Sequence, residues 1–334
     1  MRSLILGAAG MVGRKLSARL LANGGIAGTG LASMGLDRLT LADVVETPVP
    51  VASGIDVRAV TGDLASAGLA ARLVADRPDL IFHLASVVSG EAEADLAKGY
   101  RVNLDGGRHL FDAIRAEGLK APYRPRVVFT SSIAVFGAPF PAKIGDEFLC
   151  APLTSYGTQK AICELLLADY SRRGIFDGIG IRLPTICVRP GKPNLAASGF
   201  FSNIIREPLV GQETVLPVPE DVRHWFASPR SAVGFLIHAA TLDLGGVGAR
   251  RSLNMPGVSA TVGEQIEALR RVAGERAVAL IRREADPTIG RIVAGWPCDF
   301  ETQRALALGF RSDASFDEII RCHIEDELGG RIGG

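Results

Sequence analysis

Tyr156 and Lys160 are the residues in this sequence whose types and spacing are best suited to proton transfer. A Y-x-x-x-K spacing on a helix puts both side chains on one face, one turn apart. A free tyrosine has a pKa of about 10 and is a poor base at neutral pH, but a nearby ammonium stabilises the phenolate and lowers that pKa. Tyr156 would then remove a proton from an alcohol while a hydride leaves the same carbon. The alternative is an exposed polar pair on a helix, without chemistry.

A pair of hydroxyl side chains precedes this helix in the chain. Ser131 and Ser132 end the apolar run 126–131, which has the composition of a buried strand. A hydroxyl at that position can hydrogen-bond the reacting oxygen and hold it for Tyr156, and Ser132 is the preferred candidate. The alternative is an ordinary serine turn.

Three glycines near the N-terminus have the spacing of a phosphate-binding turn. Gly7, Gly10 and Gly13 stand between a short apolar run and a helical pattern. Gly7 allows a sharp turn off the strand, Gly10 allows a pyrophosphate to approach the backbone, and Gly13 allows close packing of helix and strand. The phosphates would bind free N–H groups at the start of the helix. A tight turn with no ligand is the alternative.

Asp43 closes the second predicted strand, 38–42. A carboxylate there accepts hydrogen bonds from both ribose hydroxyls of an adenosine and repels the extra phosphate of NADP. Its distance from the glycine turn exceeds the usual spacing of about twenty residues, and a long loop predicted at 23–35 accounts for the difference. Because no Lys or Arg stands beside it, Asp43 favours NAD as the cofactor. A solvated acid at a strand end is the alternative.

A second acid follows the third predicted strand, 57–61. Asp63 can hydrogen-bond an adenine amino group. The dipeptide Gly62-Asp63 is also ordinary turn chemistry, and the turn is the better interpretation of these two residues alone.

Composition excludes several classes of function. The chain has 334 residues, 47% hydrophobic and 22% charged, which is enough for one large α/β domain or two domains. Its net charge of +1 gives no reason to expect a nucleic acid or a membrane as a partner. We find neither an apolar run long enough to span a bilayer nor a signal-peptide pattern. The scattered cysteines indicate reduced thiols of a cytoplasmic protein, and the dispersed histidines indicate no metal site.

Short apolar runs alternate with helical patterns through the first half, as in a parallel α/β sheet. Further strands are predicted at 80–84, 126–131, 178–183 and 252–255, and helices at 14–21, 92–117, 156–173, 229–240, 262–273 and 316–328. The stretch 189–216 is rich in prolines and glycines and is predicted to be mostly loop. We therefore expect a doubly wound parallel α/β sheet of the Rossmann type at 1–188, with returning segments near 222–256. A smaller substrate lobe would comprise 189–221 and 257–334.

Together these features resemble the extended short-chain dehydrogenase/reductase superfamily, and within it the NAD-dependent epimerase/dehydratase family. The match covers most of the chain and rests on the glycine turn 7–13, Asp63-Leu64, His83-Leu84-Ala85-Ser86, Asn103, the serine strand 129–137 and the Y-G-x-x-K segment 156–160. The resemblance implies catalysis by Ser132, Tyr156 and Lys160. It implies NAD contacts from Gly7, Gly10, Met11, Val12, Gly13, Asp43, Asp63, Leu64, Leu84, Ala85, Ser86, Asn103, Tyr156, Lys160 and Pro184.

The segment 182–191 departs from the R-x-x-N-V-Y-G-P pattern of the family's nucleotide-sugar enzymes. Thr185 replaces the asparagine, and Arg189 stands where the glycine is usual. The chain is more similar to members that oxidise the 2-hydroxyl of a four-carbon sugar acid with NAD. Ser132, Thr185, Arg189 and Arg223 are the candidate substrate contacts, because guanidinium pairs bidentately with a carboxylate. Alternatively, the two arginines tie loops to backbone carbonyls.

Three functions stay open at this point. The first is an NAD-dependent dehydrogenase of a small hydroxy acid. The second is a nucleotide-sugar epimerase or dehydratase that retains NAD and uses the same machinery, and the third is a non-catalytic NAD-binding sensor. The resemblance also implies a homodimer formed by the helices that carry Asn103 and Tyr156, for which Leu165, Leu166 and Leu167 are candidate contacts.

Overall fold

The structure, a computed structural model, describes residues 1–26, 34–50, 54–191 and 197–333. Its strands in chain order are β1 (Arg2–Leu6), β2 (Gly25–Ile26), β3 (Met34–Gly35), β4 (Arg38–Asp43), β5 (Asp56–Thr61), β6 (Leu80–His83), β7 (Arg126–Ser132), β8 (Asp177–Leu183), β9 (Thr185–Ile186), β10 (Thr214–Leu216), β11 (Arg223–Ala227), β12 (Ser252–Asn254), β13 (Val258–Thr261) and β14 (Ile281–Arg283). Its α-helices are α1 (Met11–Ala22), α2 (Ala67–Val74), α3 (Ser89–Ala94), α4 (Leu96–Gly99), α5 (Gly106–Lys120), α6 (Ser155–Arg172), α7 (Gly199–Leu209), α8 (Pro229–Thr241), α9 (Val262–Ala273), α10 (Glu275–Val278), α11 (Pro287–Ala294), α12 (Gln303–Ala307) and α13 (Phe316–Leu328).

A parallel sheet is the centre of the fold. In the part of the chain that is described, its strands lie in the order β12-β8-β7-β6-β1-β4-β5, and each neighbouring pair is parallel. The strand order reverses between β1 and β6, so the loops that follow these two strands diverge and leave a crevice at their carboxyl ends. The predicted doubly wound α/β fold is therefore confirmed.

Both faces of this sheet are buried, as the apolar run 4–6 predicts. Ile5 packs in one core with helices α1 and α8, whereas Leu4 and Leu6 pack in a second core with α2, α5 and α6. Successive side chains of a strand point to opposite faces, so a strand covered by helices on both sides needs an unbroken apolar run.

The C-terminal lobe has a core of its own, formed by α7, α9 and α13 with the small sheet β13-β11-β9. Cys187 and Val188 pack into this core, whereas Ala305 and Phe310 pack against the main sheet. The two cores therefore alternate along the chain, and the predicted domain limit at 188 stays a prediction.

The prediction of a mostly irregular stretch at 189–216 is wrong, because helix α7 lies within it. Its buried residues Phe200, Phe201, Ile204 and Ile205 repeat with helical spacing. The surrounding prolines and glycines obscured that pattern in the sequence. Residues 192–196 of the same stretch lie outside the described residues.

One further element differs from the sequence prediction. The helix predicted at 92–117 is divided into α3, α4, a π-helical segment at Tyr100–Asp105 and α5. The helix predicted at 229–240 is confirmed as α8, which begins at Pro229, with the Ser228 hydroxyl accepting from the Ser231 N–H, and strand β11 precedes it. A Ser-Pro pair at a helix start is a strong capping signal, so the sequence indicates this boundary.

The loop predicted at 23–35 contains the pair β2 and β3, and its residues 27–33 lie outside the described part of the chain.

Helix α6 is fixed on the sheet by a buried ion pair. The Glu164 carboxylate accepts from Arg182 Nη2 on β8 at 2.7 Å and from Ser131 Oγ on β7 at 2.5 Å. Arg182 Nη1 also donates to Asn254 on β12 at 3.1 Å. These contacts join one helix to three strands, so α6 cannot slide along the sheet without breaking them.

Among the helices of the described residues, none has the length and apolar composition needed to cross a membrane. All five cysteines are free thiols.

Candidate active site

Several predicted site residues follow strands of the main sheet at its carboxyl edge. In the strand register Leu6 pairs with both Ala42 and His83, so the loops after β1, β4 and β6 begin side by side. Further along the sheet, Ser132 pairs with Leu183. Parallel strands end at a common edge, which is why residues far apart in sequence come together here.

The glycine turn follows β1, and the space that a Cβ would find differs among its three glycine positions. Gly7 has φ +85°, and a Cβ there would lie 2.7 Å from the Ala85 nitrogen. A Cβ on Gly13 would clash with the Gly7 carbonyl and lie 2.8 Å from Ala8 Cα. A Cβ on Gly10 would have the Gly7 carbonyl oxygen, at 3.4 Å, as its one close neighbour in the described structure. The fold thus requires Gly7 and Gly13, whereas Gly10 leaves open space beside the turn, as a close-fitting ligand would require.

Helix α1 begins at that space. Gly10 is its N-cap and contributes no side-chain hydrogen bond, and the first intrahelical bond runs from Arg14 N–H to the Gly10 carbonyl at 2.9 Å. The preceding N–H groups, those of Met11, Val12 and Gly13, therefore point out of the helix end and suit a phosphate.

Asp43 lies against the same turn. Its Oδ2 accepts from the Ala9 N–H at 2.9 Å, and its backbone carbonyl accepts from Gly62 N–H at 2.8 Å. The next residues, Val44 and Val45, are exposed and uncharged. A carboxylate fixed beside a phosphate-binding turn fits the ribose of a dinucleotide without a further phosphate, so these residues fit NAD.

Asp63 makes the contacts expected of a turn. Its Oδ1 accepts from the Ala65 N–H at 2.9 Å, and its Oδ2 forms an ion pair with Arg101. Leu64 is buried beside it. The proposed contact of Asp63 with adenine stays a prediction.

Tyr156 lies in the first turn of α6, where Thr154 Oγ1 caps the helix by accepting from the Gly157 N–H at 3.1 Å. Its phenol meets the hydroxyls of Ser86 and Ser132. Burial raises the pKa of Tyr156 to about 12, and hydrogen bonds from these two serines lower it. Three hydroxyls from three different segments thus converge on one point. The sequence predicts Ser86 as a cofactor contact. Ser86 lies near the phenol because β6 and β7 are neighbours in the sheet.

Lys160 is buried one turn further along α6. Its Nζ donates to the Thr130 carbonyl at 2.9 Å and lies 5.6 Å from the centre of the Tyr156 ring. Burial lowers the pKa of Lys160 to about 8, while Cys163 and Glu164 raise it. Ser86 and Ser132, rather than Lys160, are the groups that lower the pKa of Tyr156 in this structure. The tuning of the phenol by Lys160 therefore stays a prediction.

Asn103 connects the loop after β6 to helix α6. Its Oδ1 accepts from the Val87 N–H at 2.8 Å, and its Nδ2 donates to Gln159 Oε1 at 2.7 Å. Val87 follows Ser86, and Gln159 lies three residues after Tyr156, so this buried amide fixes the serine relative to the phenol. The neighbouring Leu84 and Ala85 are partly buried at the carboxyl end of β6.

The candidate substrate residues have unequal surroundings. Thr185 follows Pro184 at the end of β8 and contacts His224, a residue that sequence reasoning did not single out. Arg189 is partly buried, and its Nη2 donates to Ser198 Oγ at 3.0 Å. Arg223 is exposed and lies 3.2 Å from Glu264 in an ion pair.

The sequence pattern of the NAD dependent epimerase/dehydratase family matches residues 3–227. The chain belongs to this family. The D-erythronate dehydrogenase of Cupriavidus necator is 48% identical over 98% of this chain and 98% of its own. The D-erythronate dehydrogenase of Haemophilus influenzae is 41% identical over 98% of this chain and 100% of its own.

One solved structure is more similar still. The nucleoside-diphosphate-sugar epimerase from Agrobacterium tumefaciens is 66% identical, with a TM-score of 0.95, and covers 99% of this chain and 95% of that chain. The family and its relatives together make this chain an NAD-dependent enzyme with the oxidation–reduction chemistry of the family's dehydrogenases.

The glycine turn gives a matched pair of variants. We expect Gly10→Ala to fold with wild-type thermal stability and to weaken NAD binding by about tenfold or more, about 1.4 kcal/mol, because its methyl group occupies ligand space. Gly13→Ala should instead cost about 2 kcal/mol or more of folding free energy, because its methyl group meets the backbone. Thermal unfolding and NAD titration check both. A Gly10→Ala variant with undiminished NAD affinity would contradict the assignment of this space to the cofactor.

Proposed function

We propose that this enzyme oxidises the 2-hydroxyl of D-erythronate to 2-oxo-erythronate and releases NADH. The observation that carries the proposal is the convergence of Ser86, Ser132 and Tyr156 on one point beside the NAD-binding edge of the sheet. The activity of the two curated relatives supports the substrate. The departure of residues 182–191 from the nucleotide-sugar pattern supports it independently.

In the proposed reaction Tyr156 first releases its own phenolic proton to solvent. Ser132 hydrogen-bonds the 2-hydroxyl of the substrate and holds it against the resulting phenolate, which takes the hydroxyl proton as the hydride leaves C2. Bound NAD supplies the hydride acceptor. Loss of a proton from a phenol with a pKa near 12 requires a compensating positive charge. Lys160 is the buried cation on the same face of α6, and a pKa near 8 leaves it mostly protonated at neutral pH. Its ammonium would therefore stabilise the phenolate as it forms.

Arg189 is the better candidate for the substrate carboxylate. Its guanidinium is partly buried, and burial lowers its pKa, with Cys187 and the like-charged Arg206 close enough to affect it and no carboxylate among the described neighbours that do so. Among the described side chains, the Ser198 hydroxyl is the one that accepts a hydrogen bond from it. Arg223 is exposed and paired with Glu264, so an anionic substrate would have to compete with that carboxylate for it. A substrate carboxylate would give the Arg189 guanidinium a bidentate partner, which it does not have among the described residues.

We also propose a cytoplasmic homodimer. Leu165 on α6 is 72% exposed and supports a contact between copies, whereas Leu167 is fully buried in the core beneath that helix. Leu166 is partly buried.

The name of the similar Agrobacterium structure favours a second candidate, a nucleotide-sugar epimerase. Such an enzyme uses the same tyrosine and lysine but keeps its NAD, so substitution of Tyr156 cannot distinguish the two functions. Net NADH formation can. A non-catalytic sensor would form no product with either substrate class.

We expect purified enzyme mixed with NAD and D-erythronate to form NADH stoichiometrically with the acid consumed. Tyr156→Phe should reduce turnover by about 10²- to 10⁴-fold, because it removes the proton acceptor, and leave NAD affinity nearly unchanged. Absorbance at the NADH band and an NAD titration are the measurements. Isomerisation of a nucleotide sugar without net NADH would refute the dehydrogenase, and wild-type turnover by Tyr156→Phe would refute the role of the phenol.

The two arginines give a second matched pair. Arg189→Gln should raise KM for D-erythronate by about 10- to 100-fold, because a charge-assisted hydrogen bond contributes about 1.5–3 kcal/mol. Arg223→Gln should change KM by about twofold or less, because it breaks an exposed ion pair. Steady-state kinetics at saturating NAD provides both values. Equal effects of the two substitutions would exclude Arg189 as the carboxylate ligand.

A further inference from the structure

An open cavity of about 450 Å³ lies at the amino edge of the main sheet, opposite the edge that carries the candidate active site. Its lining includes the first residues of four adjacent strands, namely Arg2 on β1, Leu80 on β6, Arg126 on β7 and Asp177 on β8. Its volume falls within the range of small-molecule sites, about 300–1,000 Å³. The proposed function uses none of these residues.

Arginines outnumber acids around this cavity. The charged side chains of its lining are Arg2, Arg77, Arg124 and Arg126 against Asp79 and Asp177. Asp79 accepts from the Arg2 backbone N–H at 2.7 Å. The Arg2 guanidinium donates to the Asp76 carbonyl at 2.7 Å and forms no ion pair within the described ranges. The lining therefore carries an excess of two positive charges.

Three guanidinium groups share the carboxylate of Asp177. It lies 2.9 Å from Arg126 Nη2, 3.5 Å from Arg251 Nη1 and 3.9 Å from Arg124 Nη2. One carboxylate balances one unit charge, and like charges held this close together repel. Arg124 makes the longest of the three contacts, and its side chain is 56% exposed. Arg124 is therefore the group that can turn most easily to an added anion.

The end of helix α8 holds Arg126 in place. The Arg126 side chain is 10% exposed, and its Nη1 donates to the carbonyls of Ala239, Ala240 and Leu242 at 2.9–3.2 Å. The dipoles at a helix end amount to about half a charge, so they offset only part of the guanidinium charge. The Nε of Arg126 is buried and has no hydrogen-bond partner in the part of the chain that is described. The fold thus fixes a cation at the cavity wall without fully compensating it.

Arg77 stands in a backbone conformation that favours glycine. Its φ is +49°, in the left-handed region. Its guanidinium carbon lies 4.7 Å from the centre of the Tyr123 ring, and its Nη1 lies 3.2 Å from Glu117, a carboxylate that Lys120 also contacts at 2.8 Å. The chain therefore accepts a backbone cost at a position whose side chain forms part of the cavity wall.

We propose that this cavity is a second binding site, which takes a small molecule with a doubly charged oxyanion, a phosphate or a dicarboxylate, and that Arg124 is its principal contact. The excess of two positive charges sets the charge of the ligand, and guanidinium groups pair bidentately with either oxyanion. A bound anion would relieve the repulsion among Arg124, Arg126 and Arg251 and stabilise the folded enzyme. The proposal does not depend on the oxidation of D-erythronate.

The test is a calorimetric titration of the NAD-saturated enzyme with inorganic phosphate and, separately, with succinate, at constant ionic strength. Saturating NAD competes with phosphate at the glycine turn. We expect saturable binding of at least one of the two anions. Arg124→Gln should weaken that binding about tenfold or more, because a hydrogen bond between charged groups is lost.

Arg115→Gln is the matched control. Arg115 on α5 is 54% exposed, lies 3.8 Å from Asp112 and is not part of the cavity lining. Its substitution removes the same charge and should change the affinity by about twofold or less. Both variants should unfold at the wild-type temperature without added anion, because each loses only an exposed and long ion pair.

Each outcome of the titrations decides the proposal or its ligand. Binding of phosphate alone would assign the cavity to phosphate esters, and binding of succinate alone would assign it to dicarboxylates. No saturable binding of either anion would overturn the proposal. Equal weakening by Arg124→Gln and Arg115→Gln would also overturn it, since that is a general effect of net charge. Binding that neither substitution changes would place the anion elsewhere and overturn it as well.

Thermal unfolding gives a second readout. The anion that binds should raise the unfolding temperature of the wild type and of Arg115→Gln above the value in potassium chloride of the same ionic strength. Arg124→Gln should show a smaller rise. An equal rise in all three proteins would overturn the assignment of the anion to this cavity.

Discussion

The buried contact of the Glu164 carboxylate with Arg182 and Ser131 is the interaction on which the site geometry depends. Tyr156 and Lys160 lie on helix α6, whereas Ser132 lies on a strand, so their alignment requires the helix and sheet to keep one register. A buried carboxylate is costly unless it is paired and fully hydrogen-bonded, and here Arg182 and Ser131 provide those partners. A shift of α6 along the sheet would leave this carboxylate buried without these partners, so the ion pair favours one arrangement of helix and sheet.

Besides helix α6, the site consists of short segments that follow parallel strands and therefore lie at one edge of the sheet. The glycine turn and Asp43 form the proposed cofactor side, and Asn103 holds the loop of Ser86 against the phenol. The proposed substrate contacts Thr185 and Arg189 lie next to Cys187 and Val188, which belong to the second core. In the proposed function, the distinction between a dehydrogenase that releases NADH and an epimerase that keeps it depends on what this side of the site binds.

The sequence predicts the main sheet well because buried parallel strands need unbroken apolar runs and their loops carry distinctive glycine, serine and acidic residues. It also predicts helices α9 and α13 of the lobe with their observed bounds, but it misses α7, which is amphipathic and surrounded by prolines and glycines. The Thr185–His224 pair joins residues 39 positions apart. Pairing of that kind depends on which strands become neighbours, and no local pattern contains that information. The contact of Ser86 with Tyr156 escaped prediction for the same reason.

The central claim is that a hydride leaves the carbon whose hydroxyl proton passes to Tyr156, and that the reduced cofactor is then released. Turnover of D-erythronate carrying deuterium at C2, with mass analysis of the NADH and of the organic product, tests it most directly. We expect one deuterium in each NADH formed, none retained at C2 of the product, and slower turnover than with the protiated acid. Deuterium that remains in the organic product, with no labelled NADH in solution, would contradict it.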